Sequence, residues 1–119
     1  MQQATELLTN LAQFTGTQNY YFHPLFKKYH YTDGVRYLAQ KGECYWLLEF
    51  IFGHQSNTQI SNTPFQVWTI VKDGDKATIT VSDGNDNIIR TFQLNYTSFP
   101  LDEYTLWMID GVLLLKSEY

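Results

Sequence analysis

The chain has 119 residues, of which 44% are hydrophobic and 17% aromatic, so it can fill one core but is too short for two ordinary domains. We therefore expect a single domain over residues 1–119. The net charge of −4 disfavours nonspecific binding to DNA or to an anionic membrane, and the single cysteine excludes an internal disulfide. No apolar stretch is long enough to span a membrane, and the opening Met-Gln-Gln-Ala-Thr-Glu lacks the basic and apolar regions of a signal peptide. Together these features predict a cytoplasmic protein.

Helical periodicity is confined to the first half of the chain. Apolar residues from Ala4 to Leu11 recur at positions i, i+3, i+4 and i+7, which predicts an amphipathic helix that is stopped by Gly16. The segment Glu43–Gln55 predicts a second helix, which we expect to be buried because it is apolar on nearly all sides. A shorter helix is predicted over Val35–Gln40.

The region between the two main helices is rich in aromatic residues. Pro24 lies inside the Tyr20–Tyr31 run and argues against a helix centre or a central strand, so we interpret this run as a short extended piece or an aromatic loop. Thr32–Gly34 is interpreted as a turn whose glycine supplies a positive φ. The polar stretch Ser56–Pro64 is predicted to be a loop.

In the second half the apolar period changes to two residues, which is typical of strands. The predicted strands are Phe65–Val71, Ala77–Ser82, Ile88–Tyr96, Leu106–Ile109 and Val112–Leu115. Asp110-Gly111 between the last two predicts a type I′ hairpin, and the short connections favour antiparallel neighbours. The predicted fold is α+β, with N-terminal helices packed on one face of a five-stranded antiparallel meander sheet. We expect the other face to be partly solvated or used in self-association.

Several strings occur together along the chain. They are Phe14-Thr15-Gly16, Tyr20-Tyr21, Tyr31-Thr32-Asp33-Gly34-Val35, Tyr45-Trp46-Leu47-Leu48, Tyr96-Thr97-Ser98-Phe99-Pro100-Leu101 and a closing segment that ends in Ser117-Glu118-Tyr119. With these strings nearly the whole chain resembles a family of short bacterial proteins classed as a domain of unknown function. The resemblance implies a bacterial cytoplasmic origin, and it implies neither an activity nor catalytic residues.

No arrangement of nucleophiles or metal ligands in the sequence is diagnostic. Cys44 is placed at a predicted helix start, where the macrodipole lowers a thiol pKa, but no nucleophile motif surrounds it, so a half-buried structural thiol is the preferred interpretation. The histidines His23, His30 and His54 lack metal-ligand spacing, and the turns Asp73-Gly74-Asp75 and Asp83-Gly84-Asn85-Asp86-Asn87 lack the ligand positions of a calcium loop. We predict no catalytic residue, no metal site and no cofactor, and lean against an enzyme.

The sequence leaves three functions open and identifies no ligand or partner. We favour a non-enzymatic interaction or accessory module that binds a protein partner or forms a homodimer, because aromatic residues are abundant and no catalytic constellation appears. The second is a small-ligand or enzymatic pocket that brings together Tyr20, Tyr21, His23, His30, Asp33 and Glu49. The third is a nucleic-acid accessory role for the basic and aromatic segment Phe26–Lys41, which the acidic net charge disfavours.

Overall fold

A computed structural model of the chain describes residues 4–119. The α-helices in this range are α1 (Ala4–Leu11), α2 (Asp33–Lys41), α3 (Tyr45–Gly53) and α4 (Thr58–Ser61). The strands are β1 (Tyr20–His23), β2 (Phe26–Thr32), β3 (Phe65–Asp73), β4 (Lys76–Ser82), β5 (Ile88–Leu94), β6 (Glu103–Ile109) and β7 (Val112–Leu115). Short 3-10 helices follow α3 and β7, at His54–Ser56 and Lys116–Glu118. Met1–Gln3, part of the stretch that we searched for a signal peptide, lie outside the described residues.

The main helices form where the apolar spacing predicts them, but the predicted turn before α2 is wrong. Thr32 is the N-cap of α2, and its hydroxyl accepts a hydrogen bond from the backbone N–H of Val35. Gly34 lies in the first helical turn and has no positive φ. Thr, Asp and Gly are common both in turns and at helix starts, so residue type alone does not separate the two. The predicted loop over 56–64 likewise contains α4, which Asn57 caps.

All seven strands of the described chain form one mixed sheet in the order β1-β2-β7-β6-β3-β4-β5. Only β2 and β7 are parallel neighbours; every other adjacent pair is antiparallel. The prediction of a five-stranded antiparallel meander is therefore wrong in detail, although the α+β class is confirmed. Two strands were missed, and β6 lies beside β3 rather than beside β5.

Both differences have a physical cause. Pro24 lies in the turn between β1 and β2, where it interrupts no strand pairing, so a proline inside an aromatic run is compatible with a hairpin. The connection from β5 to β6 crosses the end of the sheet and is held there because it buries Phe99 and Leu101 completely. Because this connection contributes buried residues of its own, it can lead the chain from the edge strand β5 back to β3, where β6 pairs.

The helices cover one face of the sheet, and the two halves of the chain share one core. Leu7 of α1 and Phe52 of α3 belong to the same buried cluster as Trp68, Ile79 and Leu113 of the strands. The core therefore confirms that the amphipathic helices need the sheet to bury their apolar sides.

The opposite face of the sheet lies away from the helices, and we call it the open face. Directly paired residues share a face, so the strand register defines its rows of side chains. The rows are Phe22, His30, Val112, Ile109 and Phe65; Leu114, Trp107, Val67, Ser82 and Ile88; Thr105, Thr69, Thr80 and Thr91; Glu103, Val71, Thr78 and Gln93; and, at the end of β3 and the start of β4, the pair Asp73 and Lys76. The open face is thus apolar toward β1 and rich in threonine toward β5.

Candidate functional site

The six residues predicted to line a pocket lie in three separate places. Two of them meet beside α2, two meet beside α3, and two lie on the open face. Strand residues alternate between the faces of a sheet, so the neighbours Tyr20 and Tyr21 point to opposite sides of β1. The prediction that all six side chains converge in one cavity is wrong, while their roles in ligand binding stay a prediction.

Tyr21 and Asp33 form the first pair. The Tyr21 hydroxyl donates to Asp33 Oδ1 at 2.8 Å, and Asp33 Oδ2 accepts from the backbone N–H groups of Gln18 (3.0 Å) and Asn19 (3.3 Å). Hydrogen bonds to a carboxylate favour its charged form; that from Gln18 contributes most here and, with that from Tyr21, lowers the pKa of Asp33 to about 2. The carboxylate thus tethers the loop after α1 to the start of α2.

Arg36 joins this pair from the next turn of α2. Its guanidinium lies 4.6 Å from the centre of the Tyr21 ring, and its Nη1 donates to the Tyr21 hydroxyl at 3.2 Å. The Tyr21 hydroxyl therefore already has a donor and an acceptor. This arrangement is typical of a structural tether and leaves the hydroxyl no spare proton for catalysis.

His23 and Glu49 form the second pair, between β1 and α3. His23 Nε2 lies 2.8 Å from Glu49 Oε2, and His23 Nδ1 is 3.1 Å from the backbone nitrogen of Leu25. Because Nδ1 accepts the Leu25 N–H, the ring proton is on Nε2 and is donated to Glu49. The Glu49 side chain is 48% exposed, so it faces solvent although it lies in an otherwise apolar helix.

Tyr20 and His30 are the two residues on the open face. Tyr20 is 60% exposed. The His30 ring packs edge-on against Phe22, its cross-strand partner, with the ring centres 6.3 Å apart. Had β1 been predicted as a strand, its alternation would have separated these residues from Tyr21 and His23.

Cys44 is a structural residue. It is fully buried at the N-cap of α3, and its Sγ lies 3.5 Å from the carbonyl oxygen of Leu38. Burial raises the pKa of the thiol to about 12, which outweighs any lowering by the helix dipole. Within residues 4–119 no three His, Cys, Asp or Glu side chains are grouped closely enough to hold a metal ion.

The aromatic side chains of the basic segment are engaged in the core. The Tyr29 ring stacks on Phe52 with the ring centres 5.8 Å apart, and Tyr31 is only 8% exposed. One face of the Tyr29 ring and nearly all of the Tyr31 ring are therefore unavailable to a nucleic-acid base, although Tyr29 keeps some exposed surface.

A cleft of about 520 Å³, which the sequence analysis did not find, lies at one end of the sheet. Its lining residues are Lys28, Tyr29, Gln55, Ser61, Asn62, Thr63, Pro64, Gln66, Met108, Asp110 and Gly111. None of the six predicted pocket residues is among them. One residue in the sequence could have pointed to this cleft. Gln66 is a polar residue in the buried register of β3, which continues with Trp68 and Ile70, and a buried polar side chain is unusual in a strand.

On the open face, aromatic side chains surround Trp107. Its ring centre lies 4.9 Å from that of Phe65 and 5.3 Å from that of Tyr119, and the Lys116 ammonium is 6.0 Å away. In the next row the hydroxyls of Thr69 and Thr105 are 3.2 Å apart. These contacts order the side chains of the face.

A family model described as a family of unknown function, DUF6876, matches residues 5–119. The chain belongs to DUF6876. This confirms the resemblance to an uncharacterised domain. No curated protein and no solved structure gives a significant match to this DUF6876 chain. None of its helices within residues 4–119 combines the length and the hydrophobicity that crossing a membrane requires.

Proposed function

We propose that this protein is a non-catalytic interaction module that forms a homodimer through the open face of its sheet. One observation carries the proposal: a seven-stranded sheet is covered by helices on one side and presents ordered apolar and threonine side chains on the other. Exposed apolar side chains such as Phe22 (53%), Ile88 (64%) and Val71 (43%) lie on this face. Phe22 and Ile88 lie on opposite edge strands, and the half-buried side chains of Leu114, Trp107 and Val67 lie between them. Exposed apolar surface commonly marks an interaction site.

The charge distribution supports a second copy as the partner. Among the residues that form the rows of the open face, the charged ones are Glu103 and the cross-strand pair Asp73 and Lys76, whose charges offset each other, although the chain carries 20 charged residues in total (8 basic and 12 acidic). Two near-neutral faces can meet without burying unpaired charges, and depletion of charge is typical of interface centres. A strongly charged partner would find few complementary charges here, since Asp73 and Lys76 lie at one end of the face and Lys116 lies beside Trp107.

The size of the face also suits a dimer. Seven strands leave six gaps of about 4.8 Å, and a seven-residue strand is about 23 Å long, so the face measures roughly 660 Å². Two such faces together bury about 1,300 Å², which is at the lower end of the range for stable, specific interfaces.

The test is the oligomeric state measured by sedimentation velocity over a range of concentrations. We expect the wild-type chain to dimerise and Thr80→Glu to be monomeric, because the new carboxylate would be buried without a partner among the threonine side chains of the face. Gln40→Glu places the same charge on the exposed surface of α2 and should leave the dimer intact. Phe22→Ser, at the exposed end of the face, should weaken dimerisation without introducing a charge.

A wild-type chain that stays monomeric at millimolar concentration would refute the proposal. So would a folded Thr80→Glu chain that dimerises as the wild type does. Circular dichroism of each variant separates loss of the dimer from loss of the fold.

We also place this module in the cytoplasm. The support is that the one cysteine, Cys44, is fully buried and the chain has no second cysteine with which to form an internal disulfide. The pocket and nucleic-acid alternatives have weaker support, because the pocket residues divide between two faces and the tyrosine rings are packed in the core.

A further inference from the structure

The large cleft lies at the end of the sheet where β2, the start of β3 and the β6–β7 turn meet the segment after α4. The dimer proposed above does not require it, so the two proposals are independent. We infer that the cleft binds a short zwitterionic peptide. Three features carry this inference: the buried amides of its floor, the charges of its rim, and its volume.

The floor is built from two buried amide side chains. Gln55 and Gln66 are only 5% and 4% exposed, and each donates from Nε2 to the Oε1 of the other at 2.9 Å. Gln66 is held further by Trp68 Nε1, which donates to its Oε1 at 2.9 Å, and by the carbonyl oxygen of Ile60, which accepts from its Nε2 at 2.9 Å. The floor is therefore fixed before any ligand arrives.

One hydrogen-bonding position on this floor is still open. An amide oxygen can accept two hydrogen bonds, and within residues 4–119 Gln55 Oε1 accepts one, from Gln66. A buried acceptor with spare capacity at the wall of a cleft selects ligands that carry an N–H or O–H donor. The peptide group is such a ligand.

The rim carries one charge of each sign. Lys28 and Asp110 both line the cleft and are exposed, and neither has an ion-pair partner within the described part of the chain. Asp110 is positioned by the type I′ turn, where it has a φ of 51°, and the neighbouring Gly111 carbonyl accepts the His30 N–H at 2.9 Å. This pair matches a ligand with one carboxylate and one ammonium group. A nucleotide would set two or more negative charges against one lysine in a chain of net charge −4, which disfavours it.

The volume sets the size of the ligand. At about 30 Å³ for each water molecule, 520 Å³ holds on the order of 17 waters, and hence a ligand with a similar number of non-hydrogen atoms. A tripeptide of small residues has this size. Its carboxylate pairs with Lys28, its ammonium group pairs with Asp110, and a backbone N–H donates to Gln55 Oε1. Met108 and Tyr29 provide apolar walls for its side chains.

Trialanine is the probe, and its binding is measured by titration of the ¹⁵N-labelled protein in heteronuclear NMR spectra. We expect saturable shifts at Gly111, Asn62 and the side-chain amide of Gln55. Asp110→Asn and Lys28→Gln should each weaken binding roughly tenfold, since each removes a charge-assisted hydrogen bond.

Matched controls exist for both variants. Asp86→Asn alters an exposed aspartate that also has a positive φ, of 65°, in the β4–β5 turn, and Lys27→Gln alters the exposed neighbour of Lys28. Both controls should bind trialanine as the wild type does. N-acetyl-trialanine amide, which lacks both charges, should bind far more weakly than trialanine.

Three results would overturn the inference. The first is the absence of saturable shifts around the cleft at millimolar trialanine. The second is equal binding of the acetylated amide, which would remove the role of the charges. The third is tighter binding of adenosine monophosphate at the same residues, which would assign the cleft to another class of ligand. None of these results bears on dimerisation through the open face.

Discussion

At the scale of single residues, half-buried carboxylates hold the irregular segments in place. Glu118 accepts hydrogen bonds from the Thr32 hydroxyl (2.6 Å) and from the backbone N–H groups of Gly34 and Leu115 (3.0 Å each). It therefore satisfies a free N–H at the start of α2 and ties the segment after β7 to that helix. The Ser117-Glu118-Tyr119 string thus has a structural explanation, since Glu118 fastens α2 and Tyr119 packs on Trp107.

The tether made by Asp33 predicts a pH dependence of stability. The pKa of Asp33 falls from an ordinary value of 3.8 to about 2 on folding, so its contribution is complete above about pH 4 and is lost as the pH falls toward 2. Asp33→Asn should lower the free energy of unfolding at neutral pH by about 0.5–1 kcal/mol, a modest value because solvent screens a partly exposed group. Urea unfolding of both chains between pH 7 and pH 3 measures this difference, which should narrow as the pH falls.

Asp86→Asn serves as the control for that experiment, because Asp86 is exposed in a turn. Its effect on stability should be small at every pH. A difference between wild type and Asp33→Asn that stays constant down to pH 3 would contradict the role assigned to the Asp33 carboxylate.

At the scale of secondary-structure elements, the start of α2 is packed so closely that any side chain at position 34 would displace the side chains of Leu115 and Glu118. A Cβ on Gly34 would lie 2.5 Å from Leu115 Cδ1 and 2.7 Å from Glu118 Oε1. The helix approaches β7 and the segment after it at this point. Close packing, rather than a positive φ, is therefore the reason for the glycine in the Thr-Asp-Gly-Val string.

This packing predicts that two glycine-to-alanine substitutions change the free energy of unfolding in opposite directions. Alanine is normally favoured over glycine in a helix by about 1 kcal/mol, yet Gly34→Ala should destabilise the protein by about 1–3 kcal/mol because Leu115 and Glu118 must move. Gly53→Ala, at the end of α3, should be neutral or stabilising by up to about 1 kcal/mol, since its Cβ would meet only Phe26 at 3.9 Å. Denaturant unfolding measures both changes. A Gly34→Ala chain as stable as the wild type would show that the contact can relax without cost.

At the scale of the whole molecule, the parallel contact between β2 and β7 joins the β1–β2 hairpin to the other five strands of the sheet. It consists of the pairs His30↔Val112 and Tyr31↔Leu113. By contrast, β3 pairs over seven residues with each of its two neighbours. The sheet is therefore held most firmly around β3 and least firmly at β1, an edge strand of four residues with an irregular register.

Hydrogen exchange should reveal this difference in local stability between the central strands and β1. We expect the amides of β3 and β6 to exchange only through global unfolding, and those of β1 to exchange at least about tenfold faster through local opening. Native-state exchange at low denaturant, followed by NMR, measures both. The other edge strand, β5, is the internal comparison and should be intermediate, because Phe92 packs on Trp68 and Phe50. Equal protection of β1 and β3 would contradict this order.

Much of the fold was predictable because its signals are local. The apolar period distinguishes α1 and α3 from the strands of the second half, and the Asp110-Gly111 pair specifies its own turn through two positive φ angles, of 51° and 83°. The sequence also predicted a structural thiol at Cys44, although the side chain is fully buried rather than half-buried. Each of these features depends on residues a few positions apart.

The sequence alone determined the α+β class, most of the elements and a common core, since periodicity and turn chemistry act over a few residues. Only the tertiary structure decided the strand order, the division of the predicted pocket between two faces and the position of the cleft. The contacts responsible join residues far apart in the chain: His23 to Glu49 across 26 positions, Thr32 to Glu118 across 86. Such contacts depend on where the chain returns after each connection, and that path is set by how all the apolar surfaces pack together rather than by any local pattern.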